Sequence, residues 1–371
     1  MILSDLHLFQ YRNIQSFDWK PHPRANLLVG SNAQGKTNLL EAIFLLGTTK
    51  SLRAGSDADD LIMEEKAEAF VQGKVKRDQP EVTRELEILL RRGEPRQVRL
   101  NGKKLTPFSK IFGQLTVVLF VPEDLQLVKA GPAARRYYLD LEISQASPQY
   151  LAALQTYQRA LKQRNGAIRM VAEGKATWDA VEAFDEALVM SGSEIVLYRA
   201  EALCEIEPLA AQVQARVAGR EAEKLELRYV SSLGSELQAL DAIQHEFRRR
   251  LRQRSGDERA RGTTLSGPHR DDLEILLSGK PARLFASQGQ QRTTALALKL
   301  AEVQFLSRRL NENPVLLLDD VLSELDLERQ SALLGLLDEH VQTFVTSTHA
   351  DGLAYKPGQT LKVSGGQITQ A

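Results

Sequence analysis

Eight residues between an apolar run and an apolar helical stretch, GSNAQGKT (Gly30 to Thr37), fit the spacing G-x-x-x-x-G-K-[ST]. A loop of this kind turns its backbone amides and the start of the next helix toward one point, which makes an anion cradle. Gly30, Ser31, Asn32, Ala33, Gln34 and Gly35 form the cradle. Lys36 is placed to meet the β- and γ-phosphates of a nucleotide, and Thr37 to ligate Mg²⁺. Far along the chain, PVLLLDD carries Asp319 out of a buried strand, where it can hold the hydration shell of the same Mg²⁺. Asp320 follows. Its bland reading is a helix cap or a solvated acid; its chemical reading is the residue that polarises an attacking water. Together these residues predict a nucleoside triphosphate and Mg²⁺ as cofactors, with Lys36 and Asp320 catalytic.

A second segment calls for chemistry of another kind. LFASQGQQRTTALALKLAEVQFL is apolar in its second half and small and polar in its first. Ser287 and Gln290 have the S-x-x-Q spacing of a capping box, which explains where a helix begins. It leaves Gly289 unexplained, because glycine weakens a helix. Backbone access at Gly289 and the positive end of the helix dipole suit the approach of a phosphate.

These segments need a scaffold. Up to about Pro122 the chain reads as β-rich with one helix: MILSDLHLF, IQSFDW, ANLLV, EVTRELEILL, QVRL and LTVVLFV as strands, and KTNLLEAIFLL as a helix stopped by Gly47. Asn101-Gly102 is a hairpin turn signal. Between about Ala133 and Arg254 the texture becomes Ala-, Leu-, Gln-, Glu- and Arg-rich with helical spacing, interrupted by strand-like LELRYV. β patterning then returns: DDLEILL and ARLF flank SGKP as a hairpin, followed by the capped helix, PVLLLDD, a helix from about Asp326, and QTFVTST. Strands alternating with helices imply an α/β fold. The expected division is residues 1–130, an inserted helical arm over 131–260, and a return over 261–371.

Composition excludes several classes. Lys plus Arg and Asp plus Glu are both 48, so any affinity for nucleic acid must come from local patches. One cysteine, Cys204, permits neither an internal disulfide nor a cysteine-based zinc site. The first residues lack the basic and apolar regions of a signal peptide, and no apolar run approaches the roughly 20 residues that span a membrane. The expected compartment is the cytoplasm. The richest basic patch is HEFRRRLRQRSGDERAR, which includes Arg248, Arg249, Arg250, Arg252 and Arg254; Arg53, Arg135 and Arg136 are further candidates for DNA phosphates. A solvated helix face is the ordinary alternative for the patch.

The order of loop, SQGQQ helix start and Asp319-Asp320 resembles the ABC ATPase superfamily. The resemblance implies that Ser287, Gln288, Gly289 and Gln290 act in trans, capping nucleotide bound to a second copy of the chain. It also implies that SELD, Ser323 to Asp326, is the D-loop of the dimer interface, and that His349 of TSTH is a γ-phosphate switch residue. Arg12 is assigned an approach to the nucleotide base. About 285 residues separate the loop from Asp319. That is more than a transporter ATPase subunit uses and far less than the long coiled coils of Rad50 or SMC proteins require. YRNI, VLFVPEDLQLVKAGPAARRYYLDLEIS, SGPHRDDLEI, SQGQQRTTALALKLAE and LLLDDVLSELD together resemble the bacterial RecF family. This implies a P-loop, Rad50-like ATPase head of mixed sheets and helices with an inserted all-helical arm. It further implies ATP-dependent homodimerisation on DNA, slow hydrolysis that releases the dimer, and action with RecO and RecR in loading RecA at single-strand gaps, in the nucleoid. A transporter motor subunit and an SMC-like structural clamp are the competing classes. Three departures stand out: Asp320 replaces the usual Glu, FVPEDLQLV occupies the place of the Q-loop without a clear glutamine sensor, and SQGQQ lacks the usual Leu before Ser and one of the two glycines.

Overall fold

The computed structural model describes residues 1–52, 57–78, 81–218, 223–234, 239–322, 327–335, 340–350 and 354–370. They fall into two compact units, one of Met1–Asp124 with Leu296–Ala371, the other of Leu125–Ala295.

The first unit holds two six-stranded sheets. One is antiparallel, built from β1 (Ile2–Tyr11), β2 (Ile14–Trp19), β4 (Glu68–Asp78), β5 (Glu81–Arg91), β6 (Gln97–Leu100) and β7 (Lys103–Lys104) in the order β2-β1-β4-β5-β6-β7. The other runs β15-β14-β3-β13-β12-β8 and comprises β3 (Ala25–Val29), β8 (Val117–Phe120), β12 (Val315–Leu318), β13 (Thr343–Ser347), β14 (Gln359–Ser364) and β15 (Gln367–Gln370). All its pairings are parallel except β14 with β15. Parallel strands covered on both faces must be apolar throughout, and Val315 to Leu318 are all buried. Helix α1 (Lys36–Thr48) packs on both sheets, which is why nearly every residue from Leu39 to Thr48 is buried. It runs one residue beyond Gly47. A Cβ on Gly47 would stand 2.6 Å from the Leu115 carbonyl oxygen, so this glycine serves close packing; the helix stops at Thr49, in the left-handed region. Helix α10 (Leu327–Gly335) follows the expected start near Asp326. Neither β4 nor the C-terminal β14–β15 hairpin was anticipated.

The second unit is mainly helical: α2 (Gln126–Lys129), α3 (Pro132–Ala146), α4 (Pro148–Ala172), α5 (Asp179–Glu182), α6 (Asp185–Ala218), α7 (Leu240–Arg261) and α8 (Ala282–Phe285). It also carries an antiparallel sheet, β11-β10-β9, of β9 (Leu225–Val230), β10 (Asp272–Leu277) and β11 (Lys280–Pro281). LELRYV pairs with DLEILL along its whole length, so the return segment up to Ala295 belongs to this unit. ARLF is one helical turn, because the hairpin at Ser278-Gly279 closes with Lys280 and Pro281 alone. Helix α9 (Gln288–Leu310) begins in this unit and ends in the first.

The SGPHRDD segment is the polar core of the second unit. Arg199 donates to Asp140 at 2.7 Å and to the Pro268 carbonyl at 2.8 Å. Asp271 accepts from the Tyr229 hydroxyl at 2.6 Å and from the Ser232 amide at 2.7 Å. His269 lies 2.6 Å from the Tyr157 hydroxyl through Nδ1 and 3.1 Å from the Thr264 carbonyl through Nε2. Burial lowers its pKa to about 4, with the cations Arg270, Arg136 and Arg164 adding to the effect. As pH falls below about 6.5, the unfolded chain binds a proton that the folded imidazole refuses until about pH 4. Stability present at neutral pH is therefore lost across that window. Urea unfolding at pH 7 and pH 5 should show a loss of about 2 kcal/mol attributable to this group. His269→Gln should remove that increment; an unchanged pH slope in the variant excludes His269 as its source.

Candidate phosphate-binding and catalytic site

The carboxyl ends of β3, β13, β12 and β8 meet at one edge of the parallel sheet, where open α/β sheets bind ligands. The loop leaving β3 wraps the start of α1. Ala33 and Gly35 take positive φ angles of 63° and 113°, which turn the intervening amides inward. Lys36 is 5% exposed, and its ammonium donates to the carbonyls of Gly30 at 2.5 Å and Ser31 at 3.2 Å. Ser31 to Asn38 line a cavity of about 350 Å³, and Asp320 closes it. The residues that the sequence assigned to phosphate are thus brought together with the assigned water-activating acid.

Asp319 stands just past the end of β12, buried, and accepts from the Thr346 hydroxyl at 2.7 Å, with the Thr37 hydroxyl near enough to favour its charged form. Burial raises its pKa above the usual carboxylate range, against the lowering effect of those two hydroxyls and of Lys36. The charge of this carboxylate is therefore incompletely compensated by its neighbours. A divalent cation would complete it, and the hard oxygens of Asp319 and Thr37 fit Mg²⁺ in kind. Thr346 also accepts from the Asp320 amide at 2.9 Å, which fixes the backbone where Asp320 adopts a φ of 55°. Aspartate and asparagine tolerate this left-handed region better than longer side chains do. Thr346 was not singled out in the sequence, although its place in TSTH, on the strand beside Asp319, is a signal that could have found it.

His349 is exposed, two residues beyond the end of β13, with Nδ1 2.8 Å from the Thr348 hydroxyl. β13 ends beside the loop, since the Gly30 amide donates to the Ser347 carbonyl at 3.2 Å. Arg12 has another task. Its guanidinium grips Glu41 of α1 through Nε at 2.8 Å and Nη2 at 2.9 Å, and donates to the Asp60 carbonyl at 2.8 Å. As placed, it steadies α1 and does not line the cavity.

At the start of α9 the capping box is complete: the Ser287 amide donates to the Gln290 side chain at 2.5 Å, and the Gln290 amide to the Ser287 hydroxyl at 3.2 Å. Ser287 and Gln288 are exposed. A Cβ on Gly289 would meet only the Ser287 hydroxyl, at 4.0 Å, so nothing in the described part of this chain crowds that face. Leu284 and Phe285, 72% and 67% exposed, precede it and carry an apolar surface that the sequence reading did not notice. Ser323, Asp326 and Arg53 lie outside the described residues.

The arginine candidates for DNA contact divide. Arg135 leaves the set: it is 6% exposed, bonds Asp272 twice at 2.8 Å and donates to the Ala130 carbonyl at 2.7 Å. Arg136 donates to the Asp271 carbonyl at 2.8 Å. On α7, successive arginines diverge by the helical period. Arg248 turns to Glu186, Arg249 and Arg250 pair with Glu246, and Arg254 approaches the Leu265 carbonyl at 3.4 Å. Arg252 is exposed. The run that looks like one patch in the sequence is spread around a helix and partly neutralised.

A family profile described as the RecF/RecN/SMC N terminal domain matches residues 2–366. The chain is 42% identical over 359 residues to the DNA replication and repair protein RecF of Symbiobacterium thermophilum, covering 95% of this chain and 93% of that protein. It is 39% identical over 375 residues to the protein of the same description from Bacillus cytotoxicus, covering 99% and 98%. Among solved structures, the recombination mediator protein RecF-ATPrS in the RecFOR pathway superposes with a TM-score of 0.92 at 33% identity, covering 99% of this chain and 97% of that one. The RecF-ATP structure of the same pathway gives 0.92 at 32% identity, with coverage of 100% and 97%. An Smc head domain from Pyrococcus furiosus shares the fold at a TM-score of 0.57 and 16% identity, covering 100% and 96%.

Proposed function

The chain belongs to the RecF family of DNA replication and repair proteins, and from that premise we propose that it is an ATP-gated DNA clamp of the RecFOR pathway. Two copies pair when each holds ATP. Ser287 and Gly289 of one copy cap the nucleotide of the other, and closure joins two DNA-binding surfaces at a single-strand gap. RecR and RecO engage this state and RecA is loaded beside it. Hydrolysis reopens the clamp. The compartment is the cytoplasm at the nucleoid; among the described residues, no helix is long and apolar enough to cross a membrane.

The observation that carries the catalytic part is the placement of Asp320 on the cavity formed by the phosphate loop. The loop amides and Lys36 bind and orient the phosphates. Thr37 and Asp319 would hold Mg²⁺, whose charge, when bound, would offset that developing on the phosphoryl oxygens. Asp320 orients a water and takes its proton. With one methylene fewer than Glu, and a backbone pinned by Thr346, its reach is short, which supports slow turnover; in the proposed cycle DNA accelerates it.

The trans role rests on the exposed capping box and the open face at Gly289. Ser287→Arg should abolish ATP-driven dimerisation, leaving ATP affinity of the monomer within about twofold of wild type, well under the tenfold that 1.4 kcal/mol represents. Sedimentation with ATP, ADP and no nucleotide reads the result. If the variant still pairs, the signature does not act across the interface; if wild type stays monomeric with saturating Mg·ATP and DNA, the clamp itself is refuted.

A further inference from the structure

The phosphate loop is held from outside by two turns that line no part of its cavity. Asn13, in the turn between β1 and β2, donates through Nδ2 to the Gln34 carbonyl at 3.0 Å. Its Oδ1 accepts from Asn38 Nδ2 at 2.8 Å, so one side chain bridges the loop and the first turn of α1. From the β14–β15 turn, the Gly366 amide donates to the same Gln34 carbonyl at 3.0 Å, and the Gly365 amide to Gln34 Oε1 at 2.6 Å. The two turns also touch each other. A Cβ on Gly366, whose φ is 80°, would lie 2.0 Å from the Asn13 carbonyl oxygen; one on Gly30 would lie 2.2 Å from the Val363 carbonyl oxygen of β14.

Such a grip has a physical purpose. Ala33 and Gly35, on either side of Gln34, both adopt left-handed backbone angles, and for Ala33 that conformation is unfavourable unless its surroundings enforce it. The inward array of amides exists only while those angles hold. A loop free to relax would need to be reordered by each incoming nucleotide, and affinity would fall by that ordering cost.

We infer that Asn13 and the C-terminal turn Gly365-Gly366 are positioning elements, which act through Gln34 to hold the phosphate loop in its anion-binding shape before nucleotide arrives. The inference rests on the loop being the ATP site. It assigns a function in nucleotide affinity to the last hairpin of the chain, more than 300 residues from the loop it serves.

The test uses the full chain and two single variants outside the cavity lining, Asn13→Ala and Gly366→Ala. A fluorescent ADP analogue is titrated into each, steady-state ATP hydrolysis is measured, and the unliganded melting midpoint is recorded. Asn13→Ala removes one hydrogen bond to the loop, and Gly366→Ala pushes the turn off Gln34 because its Cβ would meet the Asn13 carbonyl; each predicts roughly five- to tenfold weaker nucleotide binding and an equal rise in KM. The kcat at saturating ATP should stay within about twofold, because bound nucleotide restores the loop. Asn13→Asp keeps the acceptor for Asn38 and loses the donor to Gln34, so it should behave like Asn13→Ala. Wild-type affinity in both alanine variants overturns the inference. So does a fall in kcat at unchanged KM, which is what a merely folded-fraction effect would give. Failure of the wild-type protein itself to bind nucleotide would instead remove the ATP-site reading on which the inference stands.

Discussion

Asp320→Asn should lower ATP hydrolysis by between about 10² and 10⁴ while nucleotide binding persists, the range that a positioned general base contributes. Asparagine matches aspartate in size and accepts the left-handed φ of 55° at least as readily. It keeps the backbone bond to Thr346 and leaves Asp319, Thr37 and Lys36 undisturbed. Only the carboxylate's charge and basicity are lost. Because hydrolysis resets the proposed clamp, the variant should accumulate as an ATP-bound dimer that releases DNA slowly. Single-turnover hydrolysis separates the chemical step from product release, and sedimentation reads the dimer. A loss below tenfold would show that water activation lies elsewhere. A comparable loss of ATP affinity would place Asp320 in binding.

Arg164→Ala should cost about 3–5 kcal/mol of the second unit's stability, the usual penalty for removing one partner of a buried ion pair. Arg164 is 1% exposed and joins three helices and a loop. From α4 it donates to Asp185 of α6 at 2.7 Å and to the Thr264 hydroxyl at 2.9 Å, and forms an ion pair with Glu258 of α7 at 2.8 Å. Glu258 is fully buried, so truncating Arg164 strands a carboxylate where water cannot reach it. The double variant Arg164→Met with Glu258→Leu should be less destabilised than Arg164→Ala alone, since it removes the charge together with its partner. Urea denaturation followed by helical circular dichroism measures both. A loss under about 1 kcal/mol for Arg164→Ala would mean that water or a rearranged neighbour solvates Glu258. ADP binding should survive, because the phosphate loop belongs to the other unit.

Some of this protein is legible without its structure because the chemistry is local. A phosphate loop is recognised by the spacing of eight consecutive residues, and Ser31 to Thr37 of GSNAQGKT line the site. A buried parallel strand is a short apolar run, and PVLLLDD delivers Asp319 and Asp320 at its end. The capping box is a three-residue spacing, and its two reciprocal bonds are present. The failures have equally physical causes. EAFVQGKVKRD reads as mixed and polar, yet β4 is central to the antiparallel sheet because only its Ala69, Val71, Gly73 and Val75 face needs to be apolar. Arg135 and the α7 arginines looked like a surface for DNA because sequence proximity shows charge but not direction.

The sequence by itself therefore determined the nucleotide-binding chemistry and the family, both of which rest on contiguous residues and their spacing. Tertiary structure decided which cations are free and which are occupied, since a guanidinium's partner can lie more than 100 residues away, as Asp272 does from Arg135. It decided that Thr346 fixes both aspartates, across neighbouring strands of one sheet. It also decided that the first and last hairpins of the chain meet on Gln34. Contacts of that range are set by sheet order, and sheet order is a property of the folded chain as a whole.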